Sequence, residues 1–331
     1  MVKRFRKNDR GIALLAVILG IALMTLVVVD FATSSEFGFM SAANQANELR
    51  SYYLARSGVS IGLAILAADA RNKALGLAPN VETLSDPWAA PYPPTSVGGG
   101  QVSLSIVDED RKLDLNSMIT YPPNGTATPN QGAMLRVQRL FGLLGLDPDL
   151  VNAIVEWIAP AGLDIPGVSS IGSEFYMGLK PPYQPRNGPM PTIGDLMLVR
   201  GFNQEIFNRL QPFVTVFASS GLGPNGPPVN VNTAPPEVLA SLEPELSEDP
   251  DLVKQLVLAR TVAPFLNVTD VTNNVPALGP ISARLTQDVI VKSQYFTITG
   301  VGSFAGSRKI IDATFLREQT GQGDLAAWRE R

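Results

Sequence analysis

The sequence predicts an α+β protein: one long N-terminal helix packed on a small antiparallel sheet, with a large all-α domain inserted into that sheet. Three observations lead there. An uncharged apolar run, Ile12 to Val29, continues into a proline-free amphipathic stretch that reaches Ala74. Segments with the two-residue period of strands lie at Gln101 to Val107 and again after Tyr295, whereas most of the chain between them has helical periodicity.

At 331 residues the chain can bury a substantial core. It has no Cys and no His, which removes thiolate nucleophiles, disulfides, Ser-His-Asp triads and the common zinc sites. Charged residues make up 17%, below the usual share of about 25%, and this composition points to a membrane segment.

That segment is at the N-terminus. Residues 1–11 form a basic leader with Lys3, Arg4, Arg6, Lys7 and Arg10 against one acid, Asp9. The 18 residues 12–29 carry no charge and, at about 1.5 Å per helical residue, nearly match the roughly 30 Å hydrocarbon core. The next basic residue is Arg50, so the positive-inside rule leaves the leader cytoplasmic and the bulk of the chain outside. Three fates fit such a segment: an ordinary signal peptide, an uncleaved anchor, or a cut on the cytoplasmic side after Gly11. The first needs small residues after the apolar run, where Asp30 stands instead. The third is favoured because Gly11 immediately precedes that run, so a cut between Gly11 and Ile12 removes the charges and keeps the anchor. What remains carries 21 basic and 29 acidic side chains, a charge of −8.

Residues 30–78 continue the helix outside the membrane, with Leu49, Tyr52, Arg56, Val59, Leu63, Leu66 and Ala70 on one face. Gly38, Gly58 and Gly62 are weak points, each costing about 1 kcal/mol relative to Ala. Pro79 and the loop from Asp86 to Gly100 end the helix. Strands follow at Gln101 to Val107 and Lys112 to Asn116, joined by Asp108 to Asp110, read as a solvated acidic turn. Tyr295 to Val301 and Lys309 to Leu316 form a closing hairpin. The β-domain thus comprises 79–130 and 289–316, and 317–331 are a tail. The inserted α-domain, 131–288, has helices at Gln131 to Leu144, Asp147 to Trp157, Ile193 to Val199, Glu205 to Phe213, Pro235 to Leu242 and Asp251 to Arg260. Asp147, Thr192 and Thr233 stand at N-cap positions. Ile193 to Val216 resembles a helix-hairpin-helix with Gly201 in its turn, and Val231 to Leu256 is a looser second copy. Acids flank both, so the hairpins read as structural rather than as clamps on nucleic acid. Gly300-Val301-Gly302 is not a nucleotide loop, because a hairpin and not a helix follows it. No catalytic constellation stands out, and no enzyme is expected.

Taken in order, these pieces resemble the large minor pseudopilin K of bacterial type II secretion systems. The matching residues are Arg10-Gly11-Ile12 and the apolar helix, Val107 to Asn116, Glu156-Trp157-Ile158, Leu198 to Gly201, Val231 to Ala234 with Glu237 to Leu239, and Ser293 to Phe296. The resemblance implies a pilin-like fold with an inserted α-domain, leader removal by a prepilin peptidase, N-terminal methylation and an inner-membrane, single-pass, otherwise periplasmic location. It also implies assembly with minor pseudopilins I, J and H, the major pseudopilin and the inner-membrane secretion platform, starting or capping a pseudopilus that exports folded proteins. Filament pilins carry Glu as the fifth mature residue; here that residue is Ala16, which suits a subunit with none ahead of it and equally an ordinary anchor. The family also holds calcium in a loop after the Trp-Ile pair. Asp164 and Glu174 are the ligands left here, Ala159 and Phe175 standing where acids are usual, and the alternative is a loop held by Trp157 and Tyr176 packing. Outside this family, a nucleic-acid-binding minor pilin and an anchored hydrolase using Asp and Glu alone are the other readings, and the charge of −8 weighs against the first.

Overall fold

The computed structural model describes residues 9–122, 125–165, 172–218, 223–317 and 323–331. Helix α1, Asp9–Ala74, runs 66 residues without a break, about 100 Å at 1.5 Å per residue. The leader residues 1–8 lie outside the described residues. From Gly11 to Arg50 almost every residue is exposed; from Ser51 onward one stripe is buried.

That stripe differs from the expected one. It runs through Ser51, Ala55, Gly58, Val59, Gly62, Leu66, Asp69 and Lys73, while Leu49 and Arg56 face outward. Close backbone approach explains the shift. A Cβ on Gly58 would stand 3.2 Å from the Gly300 Cα, and one on Gly62 would stand 2.6 Å from Ile298 Cγ2. The glycines that cost helix propensity are the contact points.

The helix packs on a five-stranded antiparallel sheet. Strand β1, Tyr92–Val97, lies within the stretch expected to be loop, and β2, Gly100–Asp108, follows it across a tight turn. The expected second strand shrinks to β3, Leu113–Asp114, and then becomes a 3-10 turn, Leu115–Met118, because the Asp114 side chain accepts from the Asn116 N–H. Short strands β4, Ile119–Thr120, and β5, Thr128–Pro129, pair with each other before the helical region begins.

That region contains α2, Gln131–Leu143, α3, Asp149–Ile158, α4, Gly172–Met177, and α5, Gln204–Leu210. Strand β6, Val214–Thr215, pairs in parallel with β3, and β7, Val229–Asn230, follows. Then come α6, Pro236–Leu242, α7, Pro244–Glu248, α8, Pro250–Val262, α9, Asp270–Asn274, and α10, Ser282–Asp288. Strand β8, Val289–Ile290, pairs in parallel with β7 and returns the chain to the sheet. There β9, Tyr295–Phe304, joins β10, Ser307–Arg317, through Ala305 and Gly306, both at positive φ.

Two sequence expectations need correction here. The expected tail contains β11, Gly323–Glu330, which pairs along β10 from Ile311 to Arg317 and completes the order β1-β2-β9-β10-β11. The first arm of the expected hairpin motif is a 3-10 helix, Ile193–Leu198, followed by a turn at Gly201 with φ +83° and the seven-residue α5, so a pair of α-helices does not form there.

Two separate cores result. One, around Val59, Leu66, Trp88, Phe296, Ile298 and Ile311, lies between α1 and the sheet. The larger one, around Leu115, Phe141, Ile154, Ile158, Leu239 and Phe265, fills the helical region.

Candidate functional site

Between the two cores lies a buried polar junction, and the sequence motifs meet in it. Asp108 ends β2, and its side chain is out of contact with solvent. Its Oδ1 accepts from the Asp110 N–H at 2.9 Å, and its Oδ2 accepts from Thr233 Oγ1 at 2.6 Å and Ser293 Oγ at 2.7 Å. The acidic run is therefore buried rather than a solvated turn. Asp110 Oδ2 accepts from the Gln294 and Tyr295 N–H groups at 2.6 and 3.0 Å, which fixes the start of β9. Thr233 is drawn into this network and does not cap α6, whose N-cap is Pro235. Asp147 accepts from the Asp149 N–H, but the N-cap of α3 is Pro148; Thr192 does stand at the N-cap of the 3-10 helix, where it donates to the Asp195 carboxylate and its side chain makes no cap bond.

Asn230 and Asn232 extend the junction into the helical region. Asn230 Nδ2 donates to Ser293 Oγ at 2.7 Å, and its Oδ1 accepts from the Asn232 N–H. Asn232 brackets Phe265, accepting from its N–H and donating to its carbonyl, both at 2.9 Å. One side chain thereby holds the loop before α9 as a strand would.

The C-terminal turn of α1 closes the other side. Lys73 Nζ lies 2.8 Å from Asp69, 3.2 Å from Glu82 and 2.6 Å from Asp86. Glu82 Oε2 accepts from the Ser293 N–H at 2.8 Å, and Arg317 of β10 donates to Glu82, Asp69 and the Ser293 carbonyl while its guanidinium lies over the Phe296 ring. Here acids outnumber bases. Burial first, then the charges of Asp110 and Glu82, push Asp108 up to about 7 against the bonds from Thr233 and Ser293. Burial would lower Lys73, but Glu82, Asp69 and Asp86 outweigh it and raise its pKa. Burial likewise raises Asp114 to about 7.

Such an arrangement clamps rather than reacts. A carboxylate surrounded by protein donors and closed to water has no substrate to reach, whereas its removal would orphan several buried donors.

The other residues singled out in the sequence lie apart. Gly11, Ile12 and Ala16 are exposed on the lower part of α1. Asp164 and Glu174 are exposed on either side of residues 166–171, which lie outside the described residues. Among the described residues no group of three or more acidic side chains is arranged to hold a metal. Trp157 packs edge-on against Tyr176 at 5.3 Å, and Glu156 meets Arg200 at 3.5 Å, so two further motifs touch each other. Glu82, Asn230 and Arg317 also belong to the junction, and no sequence motif marks them. The spacing of Asp69 and Lys73, four residues apart on a helix, was the one available signal.

Among the described residues one helix is long and apolar enough to cross a membrane, and it is joined through buried charges to a mixed α/β head, the architecture of a rod-and-head protein. The particular family follows from comparison. Two family models, both described as type II secretion system protein K, match residues 111–219 and 229–291, together more than half of the chain. The chain belongs to that family. Among its relatives, type II secretion system protein K of Pseudomonas aeruginosa is 25% identical over 321 residues, 96% of this chain and 91% of the relative. The Klebsiella pneumoniae protein K is 27% identical over 267 residues, 79% of this chain and 78% of that one. A chain in the crystal structure of the GspK-GspI-GspJ complex from enterotoxigenic Escherichia coli superposes with a TM-score of 0.66 at 15% identity, over 88% of this chain and 99% of that one, a likeness of fold.

Proposed function

We propose that this protein is a non-catalytic minor pseudopilin of a type II secretion system, which joins partner pseudopilins I and J at the pseudopilus tip and starts or caps the filament. The observation that carries the reading is α1 itself. Its lower half exposes nearly all of about forty residues, and the head covers none of the apolar Ile12, Leu15, Leu19, Leu23, Leu26 and Phe31. An apolar rod of that length needs lipid or sister rods as its surroundings.

Cleavage between Gly11 and Ile12 would free the rod from its basic leader and let it pass from lipid into a bundle. Ala16 would leave it without a carboxylate to offer a subunit ahead, as suits the end of a filament. An inner-membrane anchor with a periplasmic head follows from the same charge asymmetry. Two arginines of the helical region are occupied inward, Arg139 by the Ser241 and Leu242 carbonyls and Arg260 by those of Val231 and Ala234, which supports assembly over nucleic-acid binding.

The test is the mass of the cell-derived chain together with its partners. The expected N-terminus is Ile12, with pseudopilins I and J co-purifying; Gly11→Ala should retain the leader and stop secretion. A chain that keeps Met1, or one that binds neither partner, would overturn the reading. If calcium is held by Asp164 and Glu174, calorimetry on the full chain should show heat with calcium that Asp164→Ala removes.

A further inference from the structure

The helical region carries a second surface that the junction does not use. Helices α6 and α8 and the end of α2 enclose an open groove of about 540 Å³, walled by Leu143, Ala240, Leu246, Val253, Val257 and Leu258. Its α8 wall repeats at 250, 253–254 and 257–258 and its α6 wall at 236–237 and 240, so each is one face of a helix. Leu258 is 65% and Val262 89% exposed, costly positions for side chains left in water. Only Glu237, Lys254 and Ser247 bring polar side chains to the lining, too few convergent groups to orient a small ligand. Two helix faces forming an apolar trough fit a third helix laid between them.

The rim indicates what kind of helix. Glu237 lines the trough, and the exposed Glu248, Asp249 and Asp251 flank its lining residues Ser247 and Pro250 in the chain, Asp249 as the cap between α7 and α8. Glu245 and Glu243 are held by Arg284, and Lys254 is held by Asp251 at 2.7 Å, so the acids are in excess. An incoming helix flanked by acids would be repelled, and a second copy of this acidic chain is disfavoured for the same reason. We infer that the trough between α6 and α8 docks an amphipathic helix that carries apolar anchors at i, i+3, i+4 and i+7 and Lys or Arg on its flanks.

Because the chain has no cysteine, a single Thr261→Cys substitution on the exposed end of α8 accepts one environment-sensitive fluorophore beside the trough. With the full chain in a neutral-lipid nanodisc, an 18-residue helical peptide of Leu anchors and Lys flanks should give a saturable blue shift. The same peptide with Glu flanks should bind at least about tenfold more weakly. Leu258→Arg, at an exposed position, should abolish the response, and Glu248→Lys with Asp251→Lys should reverse the preference between the two peptides. No shift with either peptide, equal shifts with both, or a shift that grows with protein concentration in the absence of peptide would each overturn the inference, the last by assigning the trough to a second copy.

Discussion

The two halves of α1 are one helix in two environments, and they invert the usual relation between hydrophobicity and burial. Below Arg50 the helix exposes Leu, Ile, Val and Phe side chains that no part of the head covers. Above it, the closest contacts with the sheet are made through Ser51, Ala55, Gly58 and Gly62, residues with little apolar surface, and only Val59 and Leu66 of the fully buried positions bring large apolar side chains. Under the proposed anchoring the large side chains of the lower half would meet an apolar medium, whereas in the upper half what matters is how closely two backbones approach. Composition therefore reports the solvent of a helix, and its small residues report its partner.

The strongest way to break this comparison is to fill the upper contact. A Cβ at Gly302 would collide with the Ser51 carbonyl and the Ala55 nitrogen, both backbone atoms that cannot rotate away. Gly302→Val should cost about 5 kcal/mol or more and undock α1 from the sheet. Circular dichroism melts and proteolysis between residues 75 and 90 would record it, and an unchanged melting temperature would mean that the approach is looser than described.

Next in size is the ionic end of the same half. Lys73→Ala would leave Asp69, Glu82 and Asp86 without the ammonium at 2.6 to 3.2 Å, with only Arg317 to offset them. Breaking a buried pair from one side costs about 3–5 kcal/mol. The lower half has no buried counterpart among the described residues: Glu48 meets Lys309 at 3.8 Å with both side chains exposed, and hydroxyls such as Thr25 and Thr33 bond their own helix carbonyls. Thr25→Val should leave the melting of the head unchanged.

A third prediction sharpens the comparison through pH. Asp108 and Asp114 are each pushed up to about 7 from 3.8, and Glu243 to about 7 from 4.5, burial being the first cause in every case. Between those values the unfolded chain has released protons that the folded chain keeps. The contribution of these groups is thus complete below about pH 4 and lost as pH rises through 7. Urea midpoints should fall from pH 4 to 7 and then level off. Asp108→Asn, which has no proton to lose, should make that decline shallower; an unaltered slope would place the ionised form in the native junction.

Much of this architecture was legible in the sequence because it follows from period and punctuation. The rod shows in the uncharged run and the absence of proline to Ala74, and the closing hairpin in the alternation after Tyr295. The buried stripe of α1 differs from the one the spacing predicts because glycine and serine carry no hydropathy signal, whereas Leu49 and Arg56 fit the spacing by chance of register. Strand β11 leaves no sequence signal because its residues are exposed at a sheet edge and do not alternate sharply. The junction was half visible. Asp108 to Asp110, Val231 to Ala234 and Ser293 to Phe296 were singled out separately, but only a long-range fold could show that 108, 233 and 293 share hydrogen bonds. An acidic triplet in a turn has the same composition whether water or buried hydroxyls solvate it.

The smallest effect gives the cleanest test, because one substitution is made twice in the same helix. Gly38→Ala adds a methyl with no neighbour within 4 Å, so only helix propensity changes, a gain of up to about 1 kcal/mol in the rod. Gly62→Ala has the same intrinsic gain, but its Cβ would stand 2.6 Å from Ile298 Cγ2, a fully buried side chain in the sheet core. Overpacking of that kind costs about 1–3 kcal/mol, more than propensity returns. The head should therefore melt unchanged in Gly38→Ala and several degrees lower in Gly62→Ala. Equal behaviour of the two variants would mean that α1 rests on the sheet through side chains alone, and the distinction between its halves would then be one of solvent only.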